Sequence, residues 1–471
     1  MASLYSVGET KVRPGVYRRY TTSSDNVVAG ADDGTVAVIL QSDWGPLGVG
    51  TEISTLTELE EYYGSGDSVK KTAYRALKAG ANALRVIRVG SGGTQGSYAV
   101  KNTASTPATV VTLKTKYAST KAYKVTIQQS LADANAKELI VYDGTTSIET
   151  ITFASGDTEI DNMVAAVNKY SSYFVAEAED EATGSIATVS SASITVGTNP
   201  TVVTADYTAA LAVLEAYRFN VLCVDSNDTA VHAVVQAFVK RMKAAGGLFI
   251  AVIGEPISVS LANRMSHAAA FDDECMVYVG ASAYDNNDVL VDGFEAAAIV
   301  AGMIASTPSN DSIVHVSVEG MAELGETLTD AQHIAAIQNG CVMFSQAMDG
   351  SVWVESGVTT LIHPNSDQDD GWKKIRRVKV RQEAMDRIDR TLDPLTGRLD
   401  NDADGIANVI KLGMDVLDAM YAEGKITTGY SFIEDPDKPH KGDSAWFLIA
   451  LDDLDSLEKI YLNYTFRYSA E

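Results

Sequence analysis

A chain of 471 residues exceeds one ordinary domain and predicts about two to four. Its 46% hydrophobic content supplies true cores and excludes wholesale disorder. The net charge of −25 argues against a general binder of nucleic acid or anionic membrane, and no run of about 18 uncharged apolar residues is present to span a bilayer.

Residues 1–26 read as a polar N-terminal arm with a Pro14-Gly15 turn, carrying Lys11, Arg13, Arg18 and Arg19 against Glu9. The opening stretch lacks the basic and apolar regions of a signal peptide, which predicts synthesis in the cytoplasm. Residues 27–93 form a first α/β segment. Thr35–Leu40 is a buried strand, and the capping box Thr55 to Glu58 opens a short helix that ends at Gly64. Asp67 opens a second helix with Val69, Ala73, Ala76 and Leu77 on one face, and Gly80 stops it. A strand follows at 83–89.

From 94 to 203 the chain is rich in Thr, Ser and Val, with short alternating runs at 123–128, 138–142, 149–153, 186–189 and 194–196 and one helix near 161–170. This predicts an inserted, mostly-β domain, because strand–helix alternation resumes afterwards. Residues 204–365 give the central α/β domain. Its strands at 220–224, 248–253 and 276–280 are continuously apolar, and its helices fall near 206–217, 229–245, 260–269 and 292–305. A largely parallel sheet covered on both faces follows, completed by strands at 341–346 and 352–355. Residues 366–471 form an α+β C-terminal domain with helices at 378–392 and 406–423 and strands at 445–451 and 458–468. In the last strand Ile460, Leu462, Tyr464, Phe466 and Tyr468 share one face and Lys459, Asn463, Thr465 and Arg467 the other. Termini normally fray, so a clean amphipathic strand there calls for a partner, in its own domain or in a neighbouring subunit.

No motif carries chemistry. Asp400, Asp402, Asp404 and Gly405 match the first half of a calcium loop, but the twelfth position is Lys411 where a bidentate Glu is needed. The run reads as a loop capping the helix that follows. Ser444 in Gly442-Asp443-Ser444, near His440, lacks a strand–turn–helix setting and reads as a turn. The glycines from Gly90 to Gly96 have the wrong spacing for a dinucleotide loop and read as a hinge into the insert. The six histidines show no ligand-like spacing, and Cys223, Cys275 and Cys341 read as buried hydrophobes of a reducing compartment. No catalytic, cofactor-binding or metal residue is predicted.

Arg13-Pro14-Gly15-Val16-Tyr17, Trp44-Gly45-Pro46, Tyr63-Gly64, Ala79-Gly80-Ala81, Leu84 to Arg88 and the amphipathic C-terminal strand occur in that order. The set resembles the contractile phage tail sheath family, found in phage tails and phage-tail-like bacteriocins. The resemblance implies an α/β multidomain fold with a subtilisin-like central domain, without protease activity. It also implies a structural subunit that polymerises with copies of itself into a helical tube around a tail tube and contracts. Tail tube, baseplate and tail terminator proteins are the implied partners, with no enzyme activity, cofactor, nucleic acid or membrane, and the virion tail is the implied location. Terminal arms would add strands to neighbouring subunits through Arg13, Pro14, Gly15, Val16 and Tyr17 at one end and Ile460, Leu462, Tyr464 and Phe466 at the other. Linkers are expected near 21–34 and 436–442. The basic run from Lys373 to Arg398 becomes a candidate tube contact through Lys373, Lys374, Arg376 and Arg377. Another virion or surface-layer protein, or a hydrolase with an unrecognised site, are the alternatives.

Overall fold

The computed structural model describes residues 3–4, 17–18 and 34–468. Ser3–Leu4 (β1) and Tyr17–Arg18 (β2) pair in parallel. The continuous apolar run Thr35–Leu40 makes β3, with Val36, Val38 and Leu40 in one core and Ala37 and Ile39 in another. That split marks a strand covered on both faces. Thr51–Ile53 (β4) leads to Leu56–Tyr63 (α1). The capping box is in place: the Glu58 N–H donates to Thr55 Oγ1 at 3.2 Å and the Thr55 N–H to Glu58 Oε2 at 3.2 Å.

The single helix expected after Asp67 is two, Asp67–Lys71 (α2) and Ala73–Lys78 (α3). Thr72 breaks it. Its hydroxyl bonds back to the Ser68 carbonyl at 2.5 Å and its backbone leaves the helical region. A threonine can satisfy itself this way at the expense of the helix. Ala83–Arg88 (β5) returns beside β3.

Next come Gln95–Lys101 (β6), Thr109–Ala118 (β7), Tyr123–Gln129 (β8), Ala136–Asp143 (β9), Thr146–Ala154 (β10), Glu159–Tyr170 (α4), Phe174–Ala178 (β11) and Val189–Ser193 (β12). The strands form two antiparallel sheets, ordered β10-β9-β8-β12 and β11-β7-β6, with one core between them. The chain enters and leaves this unit along one seam, with antiparallel bridges Ser91 to Thr201, Thr94 to Thr198 and Ser97 to Thr195. Gly93 holds a left-handed φ of 81° there, and a side chain on it would meet the backbone of Thr198 and Pro200. Trp44, from the loop after β3, lies in the core of the unit edge-on to Tyr117 (5.2 Å between ring centres) and Tyr123 (5.6 Å). Arg88, wholly buried, donates to the carbonyls of Ser42 (2.8 Å), Gly45 (2.8 Å) and Ala118 (3.0 Å).

The central sheet resumes through Thr204–Leu214 (α5), Val221–Val224 (β13), Thr229–Ala244 (α6), Ile250–Gly254 (β14), Leu261–Phe271 (α7) and Met276–Val279 (β15). Ala283–Asp285 (β16), Leu290–Val291 (β17), Phe294–Ser306 (α8), Met321–Leu324 (β18), Asp330–Gln338 (α9), Cys341–Val342 (β19), Phe344–Gln346 (β20) and Val352–Val354 (β21) follow. The sheet order is β19-β15-β14-β13-β3-β5-β4, parallel throughout except for the antiparallel edge strand β4. Helix α8 is apolar all round and correspondingly buried. Of the two strands expected to complete the sheet, only β19 joins it. Residues 344–354 turn back as the hairpin β20–β21, because Ala347 to Ser351 close a tight turn.

Ile375–Leu392 (α10) bridges two cores: Ile375 and Val378 belong with the central sheet, Val380, Ala384 and Ile388 with the C-terminal core. Ala403–Ala422 (α11), Ser431–Glu434 (β22) and Phe447–Ala450 (β23) complete that core. The expected strand at 458–468 has no strand partner among the described residues and is exposed. Among the described residues no helix is long and apolar enough to cross a membrane.

Candidate assembly surfaces

In an open parallel sheet, ligands collect at the carboxyl ends of the strands where the winding reverses. Here that point lies between β3 and β13, and the protein's own side chains fill it. The buried Asp225 accepts from the Gln41 N–H (2.6 Å), the Ser68 hydroxyl and the Tyr207 hydroxyl (2.6 Å). Burial pushes its carboxyl above the usual range. One strand over, buried Glu255 meets His267 Nδ1 at 2.8 Å, and His232 Nε2 meets the Ser226 carbonyl at 2.9 Å. Burial pulls His232 down, toward its neutral form. No serine hydroxyl is bonded to either imidazole among the described residues, so the set lacks a positioned nucleophile.

The other candidates resolve as structure. Asp402 accepts from the Gly405 N–H at 2.9 Å and caps α11, the role its spacing predicts. Ser444 lies in the β22–β23 turn and donates to its neighbour Asp443, while His440 Nδ1 bonds Glu434 at 2.7 Å. Asp273, Glu274 and Cys275 cluster as metal ligands might, but Lys243 Nζ lies 3.1 Å from Asp273 and 2.7 Å from Glu274, neutralising the pair. Burial pushes the Cys275 thiol up to about 12, far from a ready thiolate.

The C-terminal region is built differently. The β22–β23 hairpin leaves Ile433, Leu448 and Ile449 exposed. Beside it a groove of about 690 Å³ is floored by Trp372, Met385, Ile388, Ile449 and Leu451 and rimmed by aspartates, Asp367 and Asp389 among them. After β23 a short strap, residues 452–458, crosses the surface. Its backbone bonds link Thr427 N to the Asp452 carbonyl (2.8 Å) and Leu454 N to the Lys425 carbonyl (3.0 Å). Beyond it Ile460, Leu462, Tyr464 and Phe466 are 69%, 69%, 70% and 91% exposed. So much apolar surface on one short segment marks an interaction site.

Residues 201–360 match the phage tail sheath protein central domain. Over the whole length, protein XkdK of the phage-like element PBSX of Bacillus subtilis (strain 168) is 25% identical, with 98% of each chain aligned. Through that domain the chain is similar to phage tail sheath proteins. Solved sheath structures share its fold. The sheath tail protein of Desulfitobacterium hafniense superposes with a TM-score of 0.69 at 19% identity, covering 93% of this chain and all of that one. The anti-feeding prophage helical sheath in its contracted state gives 0.56 at 12% identity, covering 97% and 99%.

The residues singled out from sequence fall into three groups. Arg13, Pro14, Gly15 and Val16 lie outside the described residues, and Tyr17 is described as part of β2. Ile460, Leu462, Tyr464 and Phe466 come together as one exposed segment, with Tyr464 stacked on Phe466 at 6.2 Å. The basic run is not a free patch. Lys373 pairs with Asp370 (2.9 Å), Lys374 with Asp455 (2.7 Å) and Glu458 (3.0 Å), and Arg377 with Asp453. Arg376 is buried with its Nε on the Asn310 carbonyl at 3.1 Å. The linker expected near 436–442 is the turn of the β22–β23 hairpin. Sequence reasoning missed the strap, although a trace exists: Asp453, Asp455 and Glu458 face a stripe of cations, Lys374, Arg377 and Arg381, at helical spacing.

Proposed function

We propose that this chain is the structural subunit of a contractile sheath. Copies polymerise into a helical tube around a tail tube, and the tube shortens to drive its contents through a bacterial envelope. The observation that carries the reading is the exposed, apolar C-terminal segment with no strand partner among the described residues, in a domain that also has a hairpin with an exposed edge and an apolar groove. A strand from a second copy suits both features: ladder bonds fill the edge and alternate side chains enter the groove. Burying Ile460, Leu462, Tyr464 and Phe466 at about 1.5–3 kcal/mol each yields roughly 6–12 kcal/mol gross, enough to hold neighbours together while bodies slide. Contacts made this way are head-to-tail, which generates open helices.

Contraction needs no nucleotide in this scheme, because two packings of the same subunit can differ by the required free energy. We assign the chain no catalytic role and place it in the tail of a phage or a phage-like particle, made in the host cytoplasm. Baseplate, tail tube and terminator proteins are its proposed partners. A tube contact through Lys373, Lys374, Arg376 and Arg377 would have to compete with the bonds those side chains already make. Negative-stain electron microscopy of the full chain, and of a chain lacking 459–471, tests the assembly. Hollow helical tubes from the first that vanish in the second are expected. Monomers from the full chain over a range of salt and concentration would refute it.

A further inference from the structure

Helix α10 carries Lys374 at its N-cap, then Arg377 and Arg381, at spacings of three and four that align them on one face. The strap lies along that face. The Asp453 carboxylate is almost wholly buried. It accepts from Arg377 Nε (2.5 Å) and Nη2 (3.0 Å) and from Arg381 Nε (3.1 Å) and Nη2 (2.9 Å). Arg381 is itself fixed: Asp369 takes its Nη1 and Nη2 at 2.7 and 2.9 Å, and its guanidinium lies over the Trp372 ring at 4.6 Å. Lys374 Nζ spans Asp455 and Glu458. Among the described residues the ionic contacts to α10 stop at Glu458, and the apolar positions beyond it stand in solvent.

We propose that the strap is a clamp that stays on its own subunit, so that the arm pivots at residues 458–460 while its far end is held by a neighbour. The neighbour's part rests on the sheath reading; the clamp itself does not. The two halves of the clamp differ in strength. Lys374 and its partners are partly exposed and screened. Pulling Asp453 away leaves two half-buried guanidiniums to share the single carboxylate of Asp369, which is more costly. Tension on the arm therefore frays Lys374 first and stops at Asp453. The load passes into α10, whose Ile375 and Val378 are seated under the central sheet.

Hydrogen–deuterium exchange on the free chain and on assembled tubes tests the pivot. Amides of 453–458 should exchange alike in both states, whereas 460–466 gain protection only in tubes. The isosteric Asp453→Asn should speed exchange at Leu454 by roughly tenfold or more while leaving the α11 amides unchanged. Should that variant unfold, Lys374→Met supplies the second reading, faster exchange at Ser456, whose N–H bonds the Asp455 carboxylate that Lys374 holds, with Leu454 retained. Loss of strap protection on assembly of the unaltered chain, or full protection in Asp453→Asn, overturns the clamp. Failure of the unaltered chain to form tubes refutes the sheath reading, and exchange in the free chain still decides the clamp.

Discussion

Replacing Trp44 with Ala should loosen the antiparallel β unit from the sheet that carries it. Trp44 is 3% exposed, and it alone among the buried residues of that core comes from outside residues 98–194. Large-to-small substitutions of buried aromatics cost about 3–5 kcal/mol. The edge-on contacts to Tyr117 and Tyr123 place this one toward the upper end. The loss falls on coupling, because the remaining core of the unit is its own. Urea unfolding followed by circular dichroism, with protease cleavage inside 95–193 as a second probe, should show coincident transitions in the unaltered chain. In Trp44→Ala the two probes should separate, the protease-sensitive step coming earlier. Arg88→Met removes donors from the same loop, so its effect should not add to that of Trp44→Ala. Coincident transitions in Trp44→Ala, with a stability change under about 1 kcal/mol, would refute the claim that Trp44 pins the unit.

Two further outcomes concern the body of the molecule. Bonds from Arg387 and Lys425 hold the Glu423 carboxyl down to about 2, and Arg381 holds Asp369 below its usual range. Both are depressed in the folded state, so their stabilisation is complete above the ordinary carboxylate pKa and fades as pH falls through about 4 toward 2. Partial exposure of Glu423 keeps its share near 1 kcal/mol. Melting temperatures between pH 5 and pH 2.5 should therefore fall less steeply in Glu423→Gln, and an unchanged slope would remove Glu423 from the account. On α8, a Cβ at Gly302 would collide with the Ala76 carbonyl oxygen of α3. Gly302→Ala should destabilise by about 1–3 kcal/mol in urea despite alanine's better helix propensity; a gain in stability would mean that α3 and α8 can part.

Where burial and local capping decide structure, the sequence was legible. The uninterrupted apolar run of β3, the Thr55–Glu58 box and the all-apolar α8 have one physical solution each. Thr72 was missed because the choice between continuing a helix and bonding back to Ser68 depends on how α3 packs, which no local pattern records. Residues 344–354 have strand composition, and only the turn at Ala347 to Ser351 diverts them from the sheet. The amphipathic C-terminal segment was readable as a pattern, but nothing among the described residues covers it. The basic run illustrates the opposite error. Its cations look free in one dimension, yet Lys374 and Arg377 are taken by acids some 70–80 positions later in the chain.

The place where the β unit interrupts the central sheet has a consequence for how the protein is made. Strand β3 must pair with β13, which the ribosome delivers roughly 180 residues later. At about 5–20 residues per second that gap lasts roughly 10–40 s. Throughout it the hydrophobic edge of β3 is complete but unmatched. The β unit pairs its strands within residues 95–193 and can fold inside that interval, bringing its two ends together at the Ser91 to Thr201 seam. Its folding shortens the loop that β13 must close and so lowers the entropic cost of completing the sheet. Nascent chains truncated before residue 204 should be the aggregation-prone species in the cell.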